Sequence, residues 1–352
     1  MGPKRETIRH ILRQRGESLF VEGEGTATTP SDLEVPGSLV GELYAATPLV
    51  RVRWWEEDRT EARAQSLSRP VELPRQGRLE IATDRQELTL EAVVKPHWAE
   101  DIGRDQYGLY VGFRVGEVYQ RMRWMVPGEF WMGSPQDEPE RSDDETRHRV
   151  VLTQGYWLAD TACTQALWQA VTGENPSDFK GAERPVEQVS WEDVQGFIDK
   201  LNGRLPGDGF RLPTEAEWEY ACRAGTNTPF WFGNRITTEQ ANFDGNHPYV
   251  DGPKGQYRRE TVEVKGLPCN GWGLYQMHGN VWEWCSDWYG AYDTAVVDDP
   301  TGPVEGENRV LRGGGWVFGG WSVRSADRLA SHPALRDHDI GFRLARGRAA
   351  GG

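Results

Sequence analysis

Four cysteines (Cys163, Cys222, Cys269, Cys285) and seven histidines (His10, His97, His148, His247, His278, His332, His338) are where nucleophilic, redox or transition-metal chemistry would have to rest. Their spacing argues against it. No CxxC pair occurs, and the histidines show neither the HxH nor the HxxxH spacing that brings two imidazoles onto one ion. Cys163 and Cys222 fall in segments with helical signals, where a thiol reads as a buried structural residue rather than a reactive one. A different chemistry is written near the chain end, in RVLRGGGWVFGGWSVRSADRLASHPALRDHDIGFRLAR, residues 309–346. There a regular frame (RVLRGG, VRSA, IGFRLA) is interrupted by unrelated fillings, among them Phe318, Trp321, Leu329 and Leu335 beside Asp327, Asp337, His338 and Asp339. Large apolar side chains rimmed by charge are the signature of a recognition surface rather than of bond-making.

Three helices and several strands must hold this tract. Thr164 is placed to cap a helix through ALWQAV that stops at Gly173. Ser190 with Asp193 forms a capping box ahead of Val194, Phe197, Ile198 and Leu201 at helical spacing. RLPTEAEWEYACRAGT repeats the device, with Thr214 and Glu217 as the box and Trp218 and Cys222 four apart. VYQRMRWMVPGEFWMGS reads as two strands around a turn at Pro127-Gly128. The run DEPERSDDE has no EF-hand spacing and reads as a solvated loop. Beyond residue 225 the chain is rich in Gly, Asn and Trp, without a helical period. Residues 1–115 carry strand-like segments (LVRVRWW, RLEIATD, LTLEAVV, YGLYVGFRV) and read as a small β-rich domain, followed by a second domain over 116–352.

Length and charge bound the possibilities. With 352 residues there is ample material for two cores. The net charge is −14; residues 1–115 hold 16 Lys+Arg against 19 Asp+Glu, a net of −3, which leaves −11 in residues 116–352. A broad nucleic-acid-binding face is therefore not expected. There is neither an apolar run long enough to span a membrane nor a signal-like start, so the expected location is the cytoplasm.

PGEFWMGS, RPVEQVSWEDVQGF, RLPTEAEWEYACRAGT, GLYQMHGNVWEWCSDWY, RVLRGG and IGFRLA together resemble the formylglycine-generating enzyme (sulfatase-modifying factor) family over about residues 119–346. The resemblance implies an α+β protein with that family's irregular C-type lectin fold, preceded here by the β-rich domain. The enzymes of the family use two cysteines after the RVLRGG-like motif to bind copper and activate oxygen. That segment here, GWVFGGWSVRSADR, contains none, and Phe318 and Trp321 stand about where the thiols would be. Neither ring can serve as nucleophile or metal ligand. A second enzymatic branch holds iron with clustered histidines, a pattern missing here. A redox cofactor is accordingly not expected. The family's structural calcium site would carry over to the backbone oxygens of Gly279 and Val281 and the Glu283 carboxylate, with Gln276 where an Asn or Asp is usual. A second calcium site would use Asn242 and the carbonyl of Phe243. The alternative for Glu283 is a hydrogen-bonded carboxylate inside a Trp-rich core.

The same frame is similar to the variable proteins of diversity-generating retroelements, in which a template copied with errors at adenines rewrites the gene's 3′ end. Asn codons of the template become NNY codons, which cannot encode Lys, Glu, Gln, Met or Trp. From Ser322 to Arg346 none of these five types occurs. Within a variable region at about 313–346, the implied diversified positions are Gly315, Val317, Phe318, Gly319, Ser322, Asp327, Leu329, Ala330, Ser331, Leu335, Asp337, His338 and Asp339, with Trp321 added as a ligand-facing residue outside the NNY set. Trp316, Val323, Ile340, Phe342 and Leu344 would be core, and Arg324, Arg328 and Arg343 would pair with carboxylates. The expected function is non-catalytic binding of a protein or other macromolecule. The alternatives are an undiversified binding or scaffold member of the family and a metal-dependent oxidase.

Overall fold

The computed structural model describes residues 96–347 apart from 206 and 208, and within residues 10–91 the backbone of six strands. The chain forms two compact units, Met1–Asp105 and Gln106–Gly352. In the first, β1 (His10–Arg15), β2 (Ser18–Gly23) and β4 (Val71–Glu72) form one sheet. A second sheet joins β3 (Val52–Arg53), β5 (Arg78–Ala82) and β6 (Glu87–Glu91), and β7 (Asp101–Asp105) ends the unit. The division falls ten residues before the boundary expected from sequence, because YGLYVGFRV belongs to the second unit. Its strand β8 (Gly108–Val115) turns back at Gly116 and pairs antiparallel with β9 (Val118–Met125), burying Val111, Phe113 and Val115.

The second unit holds three sheets. One contains β8 and β9 with β12 (Tyr156–Ala159), β13 (Phe210–Arg211) and β19 (Ala345–Arg346), in the order β13-β19-β12-β9-β8. A three-stranded sheet joins β10 (Gly128–Met132), β11 (His148–Leu152) and β15 (Val297–Asp298). The turn at Pro127-Gly128 thus moves the chain between sheets instead of closing a hairpin. The third sheet, in the order β17-β16-β14-β18, consists of β14 (Trp282–Trp288), β16 (Arg309–Arg312), β17 (Arg328–Ser331) and β18 (Ile340–Phe342). The C-terminal tract therefore supplies three of its four strands and, through β19, an interior strand of the first sheet.

All three helices begin where their caps predict. Thr164 Oγ1 accepts from Leu167 N at the start of α1 (Gln165–Thr172), and Gly173 closes it at φ 91°. Cys163 lies before this cap rather than inside the helix. The Ser190–Asp193 and Thr214–Glu217 boxes are both reciprocal, opening α2 (Trp191–Arg204) and α3 (Glu215–Arg223). Helix α2 buries the four apolar residues of its stripe, whereas every residue of α3 is buried. Trp168 of α1 stacks on Phe197 of α2 at 5.0 Å, and both meet Phe342 of β18 edge-on.

Candidate ligand-recognition surface

The frame of the tract is held by buried arginines. Arg324 donates to both oxygens of Glu145 at 2.6 and 2.7 Å and to Glu138 at 2.9 Å. Arg328 forks onto Glu215 at 2.8 and 2.9 Å, and Arg343 onto Glu283 at 2.6 and 2.7 Å. Arg312, fully buried, bonds Glu219 and the carbonyls of Ser325 and Ala326. These bidentate pairs lock the tract to α3, β14 and the 135–146 loop. That loop is not simply solvated, because Glu138 and Glu145 point inward to clamp Arg324 while Asp137, Glu140 and Asp143 face water. The sequence signal that could have found them is the need of a buried guanidinium for carboxylate partners. At the surface, Arg336 grips Asp193 at 2.6 and 2.7 Å, tying the tract to the first turn of α2 and drawing the Asp193 carboxyl down to about 2. Gly313 and Gly314 take φ of 96° and 80°, the left-handed region that favours glycine.

The fillings divide into two groups. Phe318, Trp321, Leu329 and Leu335 are exposed by 36–41%, and Val317, Asp327, Ala330, Asp337 and His338 are half-buried. Gly315, Gly319, Ser322, Ser331 and Asp339 are buried, which corrects the expectation that every gap faces solvent. A side chain at Gly315 would overlap Asp339 Oδ2, and one at Gly319 would overlap the Trp321 ring. Ser322 Oγ bonds Gly319 O at 2.9 Å, and Asp339 O accepts from Trp282 N at 2.7 Å. Asp327 also serves the frame, since Arg324 donates to its Oδ1 at 3.3 Å. The exposed set is not one continuous patch. Leu329 and Ala330 sit on edge strand β17, three strand spacings (roughly 14 Å) from β18 at the opposite edge. Next to β18, Phe318 meets Trp282 edge-on at 5.9 Å, while Trp316, Phe179, Tyr257 and His338 form an aromatic group with centroids 5.1–6.2 Å apart. Trp321 packs edge-on against His247. Trp282, Phe179, Tyr257 and His247 were not legible as site residues, because nothing in their local sequence sets them apart from core.

At the first implied calcium site the oxygens are already engaged within the protein. Both Glu283 oxygens accept from Arg343, and Oε2 also accepts the Trp218 indole N–H at 2.6 Å, so its charge is already neutralised. Gly279 O accepts from Val281 N, and the Gln276 side-chain oxygen accepts from Asn280. At the second implied site Asn242 bridges to Gly279 and its amide donates to Asn280 and Glu260 O, while its Oδ1 is buried without a hydrogen-bond partner. No group of three metal-capable side chains occurs among the described residues. The hydrogen-bonded alternative holds for Glu283.

Among the described residues one thiol–imidazole contact occurs, between Cys222 Sγ and His278 at 3.8–3.9 Å. It is not an activated nucleophile. His278 Nδ1 donates to Val323 O and Nε2 accepts from Trp231 N, which fixes a neutral tautomer with no free base position. Burial holds His278 down at about 4 and pushes the Cys222 thiol up to about 12. Burial likewise pushes the thiols of Cys163 and Cys285 well above the ordinary range.

Residues 113–348 match the family described as the sulfatase-modifying factor enzyme 1-like domain. The chain is 33% identical to the formylglycine-generating enzyme of Mus musculus over 211 residues, 56% of this chain and 53% of that protein. It is 37% identical over 171 residues to the serine/threonine-protein kinase pkn1 of Chlamydia caviae, of which it spans 24%. The chain thus spans about half or less of these curated relatives. Among solved structures, Treponema denticola variable protein 1 superposes with a TM-score of 0.60 at 30% identity, over 67% of this chain and 98% of that one. PvdO from Pseudomonas aeruginosa superposes at 0.55 with 27% identity, over 67% and 97%. With an irregular α+β architecture and two-thirds of its length matched, the chain belongs to the sulfatase-modifying factor enzyme 1-like domain family.

Proposed function

We propose that this protein is a non-catalytic binding member of the family, and that its C-terminal tract is a recognition surface rewritten by a diversity-generating retroelement. The observation that carries the reading is the division of labour within the tract. Frame arginines and apolar residues are buried and bonded, whereas Phe318, Trp321, Leu329 and Leu335 stand exposed on that frame. Exposed large apolar residues cost solvation unless a partner covers them, so a protein or other macromolecule is the expected ligand. Similarity to Treponema denticola variable protein 1 supports the choice. Against oxidase chemistry stand the aromatics in the segment where thiols would be needed, and thiols elsewhere that burial keeps protonated. The four cysteines are free, which suits a reducing compartment such as the cytoplasm. No helix among the described residues is long and apolar enough to cross a membrane.

Sequencing of the DNA flanking the gene tests the reading. The expected result is a near-copy of the 3′ end that differs only at adenines, beside a reverse transcriptase gene. A gene without such a repeat, invariant across isolates, would leave an undiversified binding protein.

A further inference from the structure

Helices α1 and α2 and the tract before β18 frame a groove of about 690 Å³, room for a few residues of an extended peptide. Its buried lining is apolar, from Trp168, Val189 and Phe197, whereas its rim is charged and exposed. Four carboxylates, Glu174, Asp178, Glu192 and Asp193, stand against two cations, Lys200 and Arg336. Arg336 is neutralised by Asp193, which it grips at 2.6 and 2.7 Å. That leaves Glu174, Asp178 and Glu192 with Lys200 alone. An acidic surplus at a concave site focuses its field into the groove and favours a cation there.

A second feature keeps the groove open. Gly196 lines it from the exposed interior of α2, a place where glycine is less favourable than alanine. No atom lies within 4 Å of where its Cβ would stand, so packing does not demand glycine at this position. What the missing side chain preserves is space in the groove. The groove also adjoins the tract. Pro333 O accepts from Glu192 N at 3.4 Å and Asp337 O from Gln188 N at 2.9 Å, with Leu335 exposed on the stretch between. A partner that covers Leu335 therefore arrives at the groove.

We infer that the groove docks a basic extended segment of the partner protein, with the stem of a lysine or arginine over the apolar floor and its charged head among Glu174, Asp178 and Glu192. A long cationic side chain matches both halves of the lining at once, because its methylenes prefer apolar surface and its head does not. The assignment rests on the recognition reading above and adds a constant element to it. The lining comes from α1, α2, the segment between them and Arg336, none of which is a diversified position. Partners that differ where they meet the exposed fillings can share one basic anchor.

Calorimetric titration of the full chain with acetyl-Lys-Leu-Lys-amide and its Gln-Leu-Gln and Glu-Leu-Glu counterparts tests the assignment. The basic peptide is expected to bind roughly tenfold or more tightly than the neutral one, and added salt should weaken it. Glu174→Gln and Glu192→Gln, both on the exposed rim, should each weaken binding severalfold, and Lys200→Gln should tighten it. Gly196→Ala should raise the melting temperature yet weaken binding, a split that a purely structural role would not produce, and Gly196→Leu should abolish binding. Alanine at Phe318, Trp321 and Leu329 together should leave the affinity for this peptide unchanged. Equal binding of the neutral peptide, unchanged affinity in Gly196→Leu, loss of affinity in the triple alanine variant, or no binding of the basic peptide would overturn the assignment. None of these outcomes bears on the retroelement repeat, which is judged on DNA alone.

Discussion

At the scale of single residues, the buried arginines carry the firmest consequences. Arg324→Met leaves Glu138 and Glu145 buried without a cation and should cost about 3–5 kcal/mol in chemical denaturation. Lysine should not restore the loss, because an ammonium cannot fork onto Glu145 while reaching Glu138. A denaturation midpoint unchanged within error would show that the pair contributes nothing. Glu283→Gln should destabilise by several kcal/mol whether or not calcium is present, and chelator should not move the wild-type melting temperature. A calcium-dependent melting temperature would restore the metal reading for Gly279, Val281 and Glu283. At Gly315, substitution by Ser forces Asp339 aside; the expected result is loss of binding at a site that the codon pattern alone would allow to vary.

At the scale of elements, the tract is a set of strands with two kinds of position between them. Randomising Phe318, Trp321, Leu329 and Leu335 together should leave the melting temperature within a few degrees, as expected of exposed positions. Randomising Ser322, Ser331 and Asp339 instead should lower it or abolish folding, because these are enclosed by the 3₁₀ turn Gly320–Val323 and by β16–β18. If both libraries melt alike, burial does not govern tolerance in this tract. Placing Leu329 on the far edge strand from His338 also means that one small ligand cannot touch all the exposed fillings, whereas a protein surface can.

For the whole molecule, the buried carboxyls set a pH dependence. Burial, followed by the neighbouring charge of Glu215, raises Asp287 to about 7, and burial with Asp337 raises Asp339 to about 6. A carboxyl whose folded pKa lies above its unfolded value contributes fully below about 4, and that contribution is lost as pH rises through the folded value. Asp193, drawn down to about 2 by Arg336, acts in the opposite sense and loses its contribution only below about 4. Asp327, pushed up to about 8 by burial, adds to the decline, while His278, held at about 4, opposes it between about pH 4 and 6.5. The raised carboxyls outweigh it, so stability should be highest near pH 4–5 and decline toward pH 8. Asp287→Asn should flatten the decline, since an amide oxygen can still accept from Glu215 N. A melting temperature that rises from pH 5 to 8 would contradict this.

The sequence by itself determined what local chemistry specifies. Thr164, Ser190 and Thr214 begin helices because a side-chain oxygen three residues from a free N–H needs no distant partner. The apolar frame of the tract, and the fate of Arg324, Arg328 and Arg343, were legible because side chains of those kinds have few ways to be buried. Which gaps of the frame face water was not legible, since Asp337 and Asp339 are the same residue type two positions apart and only the bend before β18 turns one outward and the other in. Nor could sequence locate Glu145 beneath Arg324. Such pairings join segments more than 150 residues apart, and only the tertiary structure decides which buried charge meets which cation.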